Sequence, residues 1–292
     1  MHVMVFRRKS GLPRSKVLSK MEDSMHRLLV SCMLFLLAPG APAVELPPPA
    51  ELLKQMGVSG HYVTVVEPHL SDSLHTTHVT YLAVGAEQVL DHLFGRRWQS
   101  SDYDVVFSAA DGYQFAGRPE RFTQYKAYLA YARGDGDAFT LVNKEGRLTE
   151  LGPYYLVWDN IQDPSLVMQG AYGWPYEVLQ VDLRPVSAYL PLLPASASQQ
   201  ALDGFVLFKE YCLTCHQVAG IGGQKLSTDL RQSLCPFKES ELKALIDKPG
   251  DALRKGGMPP LDDGLQGEGR HQTIDLIVAY LRALQSEGQS CQ

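Results

Sequence analysis

The chain has 292 residues, 45% of them hydrophobic and 20% charged, with 25 Gly, 18 Pro and a formal charge of −5. This composition excludes a disordered, collagen-like or coiled-coil chain, and the length suits two modest domains. Five cysteines are too few for a disulfide-packed scaffold, and no run reaches the ~18 apolar residues of a membrane-spanning helix.

Residues 1–43 read as an export signal. Arg7, Arg8, Lys9, Arg14, Lys16, Lys20 and Arg27 stand against only Glu22 and Asp23. An apolar run follows from Leu28 to Ala38, and Ala41-Pro42-Ala43 supplies a small-residue cleavage site. Two rival readings compete. An uncleaved anchor would have to cross a ~30 Å hydrocarbon core with about half the apolar length required. Lipid attachment at Cys32 needs the apolar run before the cysteine, whereas here it mostly follows. Cleavage after Ala43 and a periplasmic location are therefore expected, with no stable membrane span. The mature chain would keep 20 basic and 30 acidic residues. Nucleic-acid backbones are held by Lys/Arg clusters, so nucleic acid is not an expected partner.

Residues 44–184 alternate strand and helix signals. Tyr62–Val66, His78–Val84, Val105–Ala109, Phe139–Val142, Tyr154–Trp158 and Glu177–Leu183 are rich in strand formers. Ala86, Val89, Leu90, Leu93 and Phe94 make one helical face, and Tyr125, Tyr128, Leu129 and Ala132 make another. A β-rich α+β domain is expected. His61, His69, His75, His78 and His92 are read as solvated or structural rather than as a metal site. Asp102, Asp104 and Asp111 are read as hairpin and turn acids. Residues 185–196 carry Pro185, Pro191 and Pro194, which predicts an extended linker.

Residues 197–292 carry the chemistry. Cys212-Leu213-Thr214-Cys215-His216 is the spacing for covalent haem c attachment, with two thiols for the vinyl groups and an adjacent imidazole for iron. A redox cysteine pair would want a thioredoxin-like βαβ setting, and zinc would want a second ligand pair; neither is visible. Helices are predicted over 197–211, 239–247 and 271–286, the last on the stripe Ile274, Ile277, Val278, Leu281 and Leu284. Met258, in Gly256-Gly257-Met258-Pro259-Pro260, is the candidate second axial ligand, favoured over His271 because a thioether in a Gly/Pro loop suits close approach to a haem. Filling a core gap is the other use of such a Met. Cys235 and Cys291 are a candidate disulfide, with two unpaired thiols as the alternative.

Several segments resemble known families. Cys212, Cys215, His216, Gly220-Ile-Gly-Gly223, Met258-Pro-Pro260 and Ala279-Tyr280-Leu281 resemble a class I cytochrome c of the periplasmic monohaem type. The resemblance implies an all-α domain wrapping one haem and moving single electrons between larger redox proteins. Asp104–Tyr113, Lys126–Ala130 and Gly152–Trp158 resemble the molybdopterin-binding domain of the sulfite oxidase family. That family holds molybdenum through a cysteine, and no cysteine lies between Val44 and Tyr211. Bound molybdopterin is therefore not expected, and a docking or scaffold role is. The expected function is an electron carrier rather than an enzyme. Its partners would be a dehydrogenase, another cytochrome or an oxidase, met through Lys248, Arg254 and Lys255. The alternative is a haem subunit of an oxidoreductase whose front domain binds a cofactor or substrate.

Overall fold

Val- and Tyr-rich stretches fold the front half into two four-stranded antiparallel sheets. The computed structural model describes residues 43–287 except 73, 143–145, 227, 251–257, 260, 262–264 and 266. The expected export signal lies outside the described residues, apart from Ala43. So do Arg254, Lys255 and Cys291. Among the described residues no helix is long and apolar enough to cross a membrane.

The first sheet runs β1 (Val44–Glu45), β10 (Val178–Pro185), β4 (Tyr103–Ala109) and β5 (Gln114–Gly117). The second runs β2 (His61–Val66), β3 (His78–Gly85), β6 (Ala127–Arg133) and β9 (Tyr155–Trp158). A hairpin of β7 (Thr140–Val142) and β8 (Leu148–Glu150) and the helices α1 (Pro49–Met56), α2 (Ala86–Phe94) and α3 (Pro119–Gln124) complete the front half. Both sheets share one core, in which Phe107, Phe115, Phe122 and Trp158 are buried together. Phe122 lies 5.1 Å from Trp158, whose indole N–H donates to the Gly173 carbonyl at 2.6 Å.

One expected helix is a strand. The Tyr125-to-Ala132 stripe suits either structure over so few residues. β6 lies between β3 and β9, antiparallel to both, with a register shift at Leu82/Ala83. Two open strand edges satisfy its backbone polar groups, which an isolated helical turn would leave half paired.

The back half is built on α4 (Gln199–Tyr211), α5 (Leu230–Ser233), α6 (Glu239–Asp247) and α7 (Gly267–Glu287). The Ser198 hydroxyl caps α4 by accepting from the Ala201 amide. The two long helices pack closely where Gly204 faces the Leu276 backbone, and Phe208 lies 4.9 Å from Tyr280. Ile274, Ile277, Val278, Leu281 and Leu284 are all buried in a second, separate core. This half is not purely helical: β11 (Gln217–Val218) and β12 (Ile221–Gly222) form a small hairpin.

The Pro-rich segment also departs from expectation. β10 runs to Pro185, and Val186–Leu192 is a 3₁₀ helix with Pro191 inside it. Tyr189 and Leu192 are buried in the second core, and the Tyr280 hydroxyl donates to the Leu192 carbonyl at 2.9 Å. Burial of two large apolar side chains outweighs the bias of proline toward an extended spacer.

Candidate functional site

The site begins where α4 ends. The Cys212 and Leu213 amides both donate to the Phe208 carbonyl, at 2.8 and 2.9 Å. One further turn follows, in which the Cys215 and His216 amides both donate to the Cys212 carbonyl, at 3.1 and 2.9 Å. The motif is therefore a compact helical turn extending α4. Cys212 and Cys215 are half-buried and unbridged.

Burial sets the protonation of all three groups. It raises the Cys212 thiol to about 12, helped by the Cys215 thiol, and it raises Cys215 as well. It lowers the His216 imidazole, which favours the neutral ring with a lone pair to give. Two glycines let β12 close on the motif. A Cβ on Gly222 (φ +112°) would stand 2.3 Å from the His216 carbonyl oxygen, and one on Gly223 would stand 2.0 Å from that of Thr214.

Two thiols and a neutral imidazole on one turn, beside an apolar core, are a donor set that fits a covalently held haem. Among the described residues no three His, Cys, Asp or Glu side chains are placed together to hold a metal ion.

Met258 is half-buried, whereas His271 is exposed on the first turns of α7. Sequence reasoning overlooked Arg270, which joins the end of α6 and Leu261 to α7. Its guanidinium donates to the Asp247 carboxylate at 2.7 Å, to the Asp247 carbonyl at 2.9 Å and to the Leu261 carbonyl at 2.5 Å. The end of α6 and Leu261 are thereby tied to α7. Cys235 is disulfide-bonded. Lys248 is exposed at the end of α6.

The front half meets this turn directly. Gln114, at the start of β5, donates its amide to the Thr214 carbonyl at 2.8 Å. Asp104 on β4 is fully buried, with Lys209 of α4 against Oδ2 and Arg118 4.0 Å from Oδ1. Lys209 also stands 4.3 Å over the Tyr189 ring. Asp111, in the β4–β5 turn, pairs with Lys225 at 2.6 Å. Two of the acids read as surface turns therefore join the halves. Asp102 instead accepts locally, from the Ser100 hydroxyl.

A second polar cluster lies in the front core. The fully buried Glu67 accepts from the Tyr81 hydroxyl at 2.8 Å, the Tyr155 hydroxyl at 2.9 Å and the His69 amide at 3.1 Å, and pairs with His69 Nδ1 at 2.8 Å. Burial raises its carboxyl. The hydrogen bond and charge of His69, then the Tyr81 hydroxyl, outweigh that, so it sits below the ordinary carboxylate value. A sequence scan for histidine clusters passes over it, because its other members are a lone acid and two core tyrosines. His61, His75, His78 and His92 are exposed.

No known family, curated protein or solved structure matches this chain.

Proposed function

We propose that this protein is an exported c-type cytochrome that carries single electrons between periplasmic redox proteins. The observation that carries the reading is the unbridged Cys212 and Cys215 pair on one turn with the half-buried imidazole of His216. In this reading Cys212 and Cys215 would hold the haem as thioethers, and His216 and Met258 would ligate its iron. The bound haem would supply a one-electron iron couple. The chain's own contribution is orientation and dryness. Gly222 and Gly223 close β12 on the motif, and Arg270 holds Leu261, three residues after Met258.

Production in a host able to attach haem c should give a coloured chain heavier than the polypeptide by one haem, bound through thioethers. A Cys212→Ser/Cys215→Ser variant should emerge at bare polypeptide mass. Wild-type protein that is colourless and unmodified under those conditions would sink the reading. The Glu67–His69 pair favours a second reading, a haem subunit whose front half binds a cofactor or substrate. Metal and pterin analysis of native material separates the two: iron alone supports the carrier, and a stoichiometric second group supports the subunit.

A further inference from the structure

The turn between β4 and β5 is anchored more tightly to the back half than an incidental contact requires. Within the turn, the Gly112 amide donates to the Ala109 carbonyl and Asp111 Oδ1 accepts from the Tyr113 amide. Its outer edge then makes two backbone hydrogen bonds of opposite sense to the motif region. Gln114 donates to Thr214, and Gln224 donates to Gly112, both at 2.8 Å. Gly112 has φ +85°, and a Cβ there would stand 2.8 Å from the Gln224 carbonyl carbon and 2.9 Å from the Lys225 nitrogen. Only glycine permits that approach at that backbone angle.

Side chains close the rest of this edge. Asp111 and Lys225 pair across it, and both act electrostatically on the Cys215 thiol. Tyr113 is half-buried, and burial suppresses the ionisation of its hydroxyl. Tyr113 and Tyr176 both lie within electrostatic reach of Cys215. Thr214, between the two cysteines and next to Cys215, is itself buried.

We propose that the Asp111-Gly112-Tyr113 turn is a built-in cap over the Cys215 edge of the attachment motif, so that the front half occupies the place where an outside redox partner would otherwise approach that edge. The cap is the partner that this edge has, and outside proteins reach the redox group from another side. This inference rests on the cytochrome reading for its meaning, but its geometry exists in the chain without haem and is testable there.

The test uses the full chain made without haem attachment. An uncharged maleimide is applied at one fixed pH, and alkylation of each cysteine is followed by peptide mass spectrometry. Cys212 is the internal control, because it shares the motif but packs against the second core. Gly112→Val should raise the Cys215 rate tenfold or more over wild type and leave Cys212 unchanged. Lys225→Met removes one anchor without straining the turn, but it also removes a charge that favours the Cys215 thiolate, so it is read by amide exchange rather than by alkylation. Amide hydrogen exchange at Gln114 and Gln224 should accelerate in both variants. A folded Lys225→Met protein with unchanged exchange at both amides, or a folded Gly112→Val protein with unchanged Cys215 alkylation, would overturn the cap. Equal acceleration at Cys212 and Cys215 would overturn it too, since that reports general loosening. The outcomes are separable: a colourless chain sinks the cytochrome reading alone, whereas a freely reactive Cys215 sinks the cap alone.

Discussion

Lys209→Met is the sharpest test of how the two halves are joined. Asp104 is fully buried and Lys209 is 19% exposed, so the substitution strands a carboxylate away from water. Removing one partner of a buried pair costs about 3–5 kcal/mol. Arg118, 4.0 Å away and 49% exposed, offers partial compensation, which places the expected loss near the lower end, about 3 kcal/mol. Methionine keeps an apolar stem over Tyr189, so the loss reports charge more than packing. Two probes read the halves separately. All three tryptophans, Trp98, Trp158 and Trp174, lie in the front core, while far-ultraviolet circular dichroism is dominated by the long helices of the back half. In wild-type protein the two urea transitions should coincide, and in Lys209→Met they should shift and separate. Adding Asp104→Val should recover most of the loss, since an apolar pair of suitable volume can replace a buried ion pair. A Lys209→Met cost below about 1 kcal/mol with coincident transitions would refute the reasoning.

Three further outcomes are expected. Glu67→Gln should cost about 2–4 kcal/mol at neutral pH, because an amide cannot accept all the donors that converge on the carboxylate. The folded Glu67 sits below the ordinary glutamate value, so its contribution is present above that ordinary value and is lost as pH falls through the lowered one. Thermal melts of wild type and variant should converge on acidification, and a constant gap would count against the assignment. Gly204→Ala places a Cβ 1.9 Å from the Leu276 carbonyl oxygen and should destabilise by about 2 kcal/mol despite better helix propensity. Gly269→Ala, with nothing within 4 Å, should instead be neutral or stabilising by up to ~1 kcal/mol in the same urea melts.

The long helices were legible because a buried stripe repeated over many turns has one structural solution. α7 carries five stripe residues, and all five are buried. The strands rich in Val and Tyr were legible to within a residue or two for the same reason. Ala127–Arg133 was not, because its identity depends on β3 and β9, which come from distant parts of the chain. The 3₁₀ helix at Val186–Leu192 was hidden behind its prolines, since the gain from burying Tyr189 and Leu192 requires α7 to be in place. Local spacing exposed Cys212, Cys215 and His216, which are adjacent in sequence. The same scan could not find Asp104 opposite Lys209, because nothing in either segment names a partner about a hundred positions away.

That pairing explains why one short strand is enough to orient the motif. β4 has seven residues, which at ~3.3 Å per residue reach about 20 Å. At its start Asp104 holds Lys209, one helical turn before Cys212. Just beyond its end the turn at Gly112 and the following Gln114 hold Gln224 and Thr214. A single anchor would let α4 pivot about it, whereas two anchors at opposite ends of a buried strand fix both the helix and the turn that extends it. The first anchor is a desolvated ion pair and the second is backbone hydrogen bonding, so neither core needs to merge with the other. The front half can therefore fix the position of the motif through α4 and the turn together.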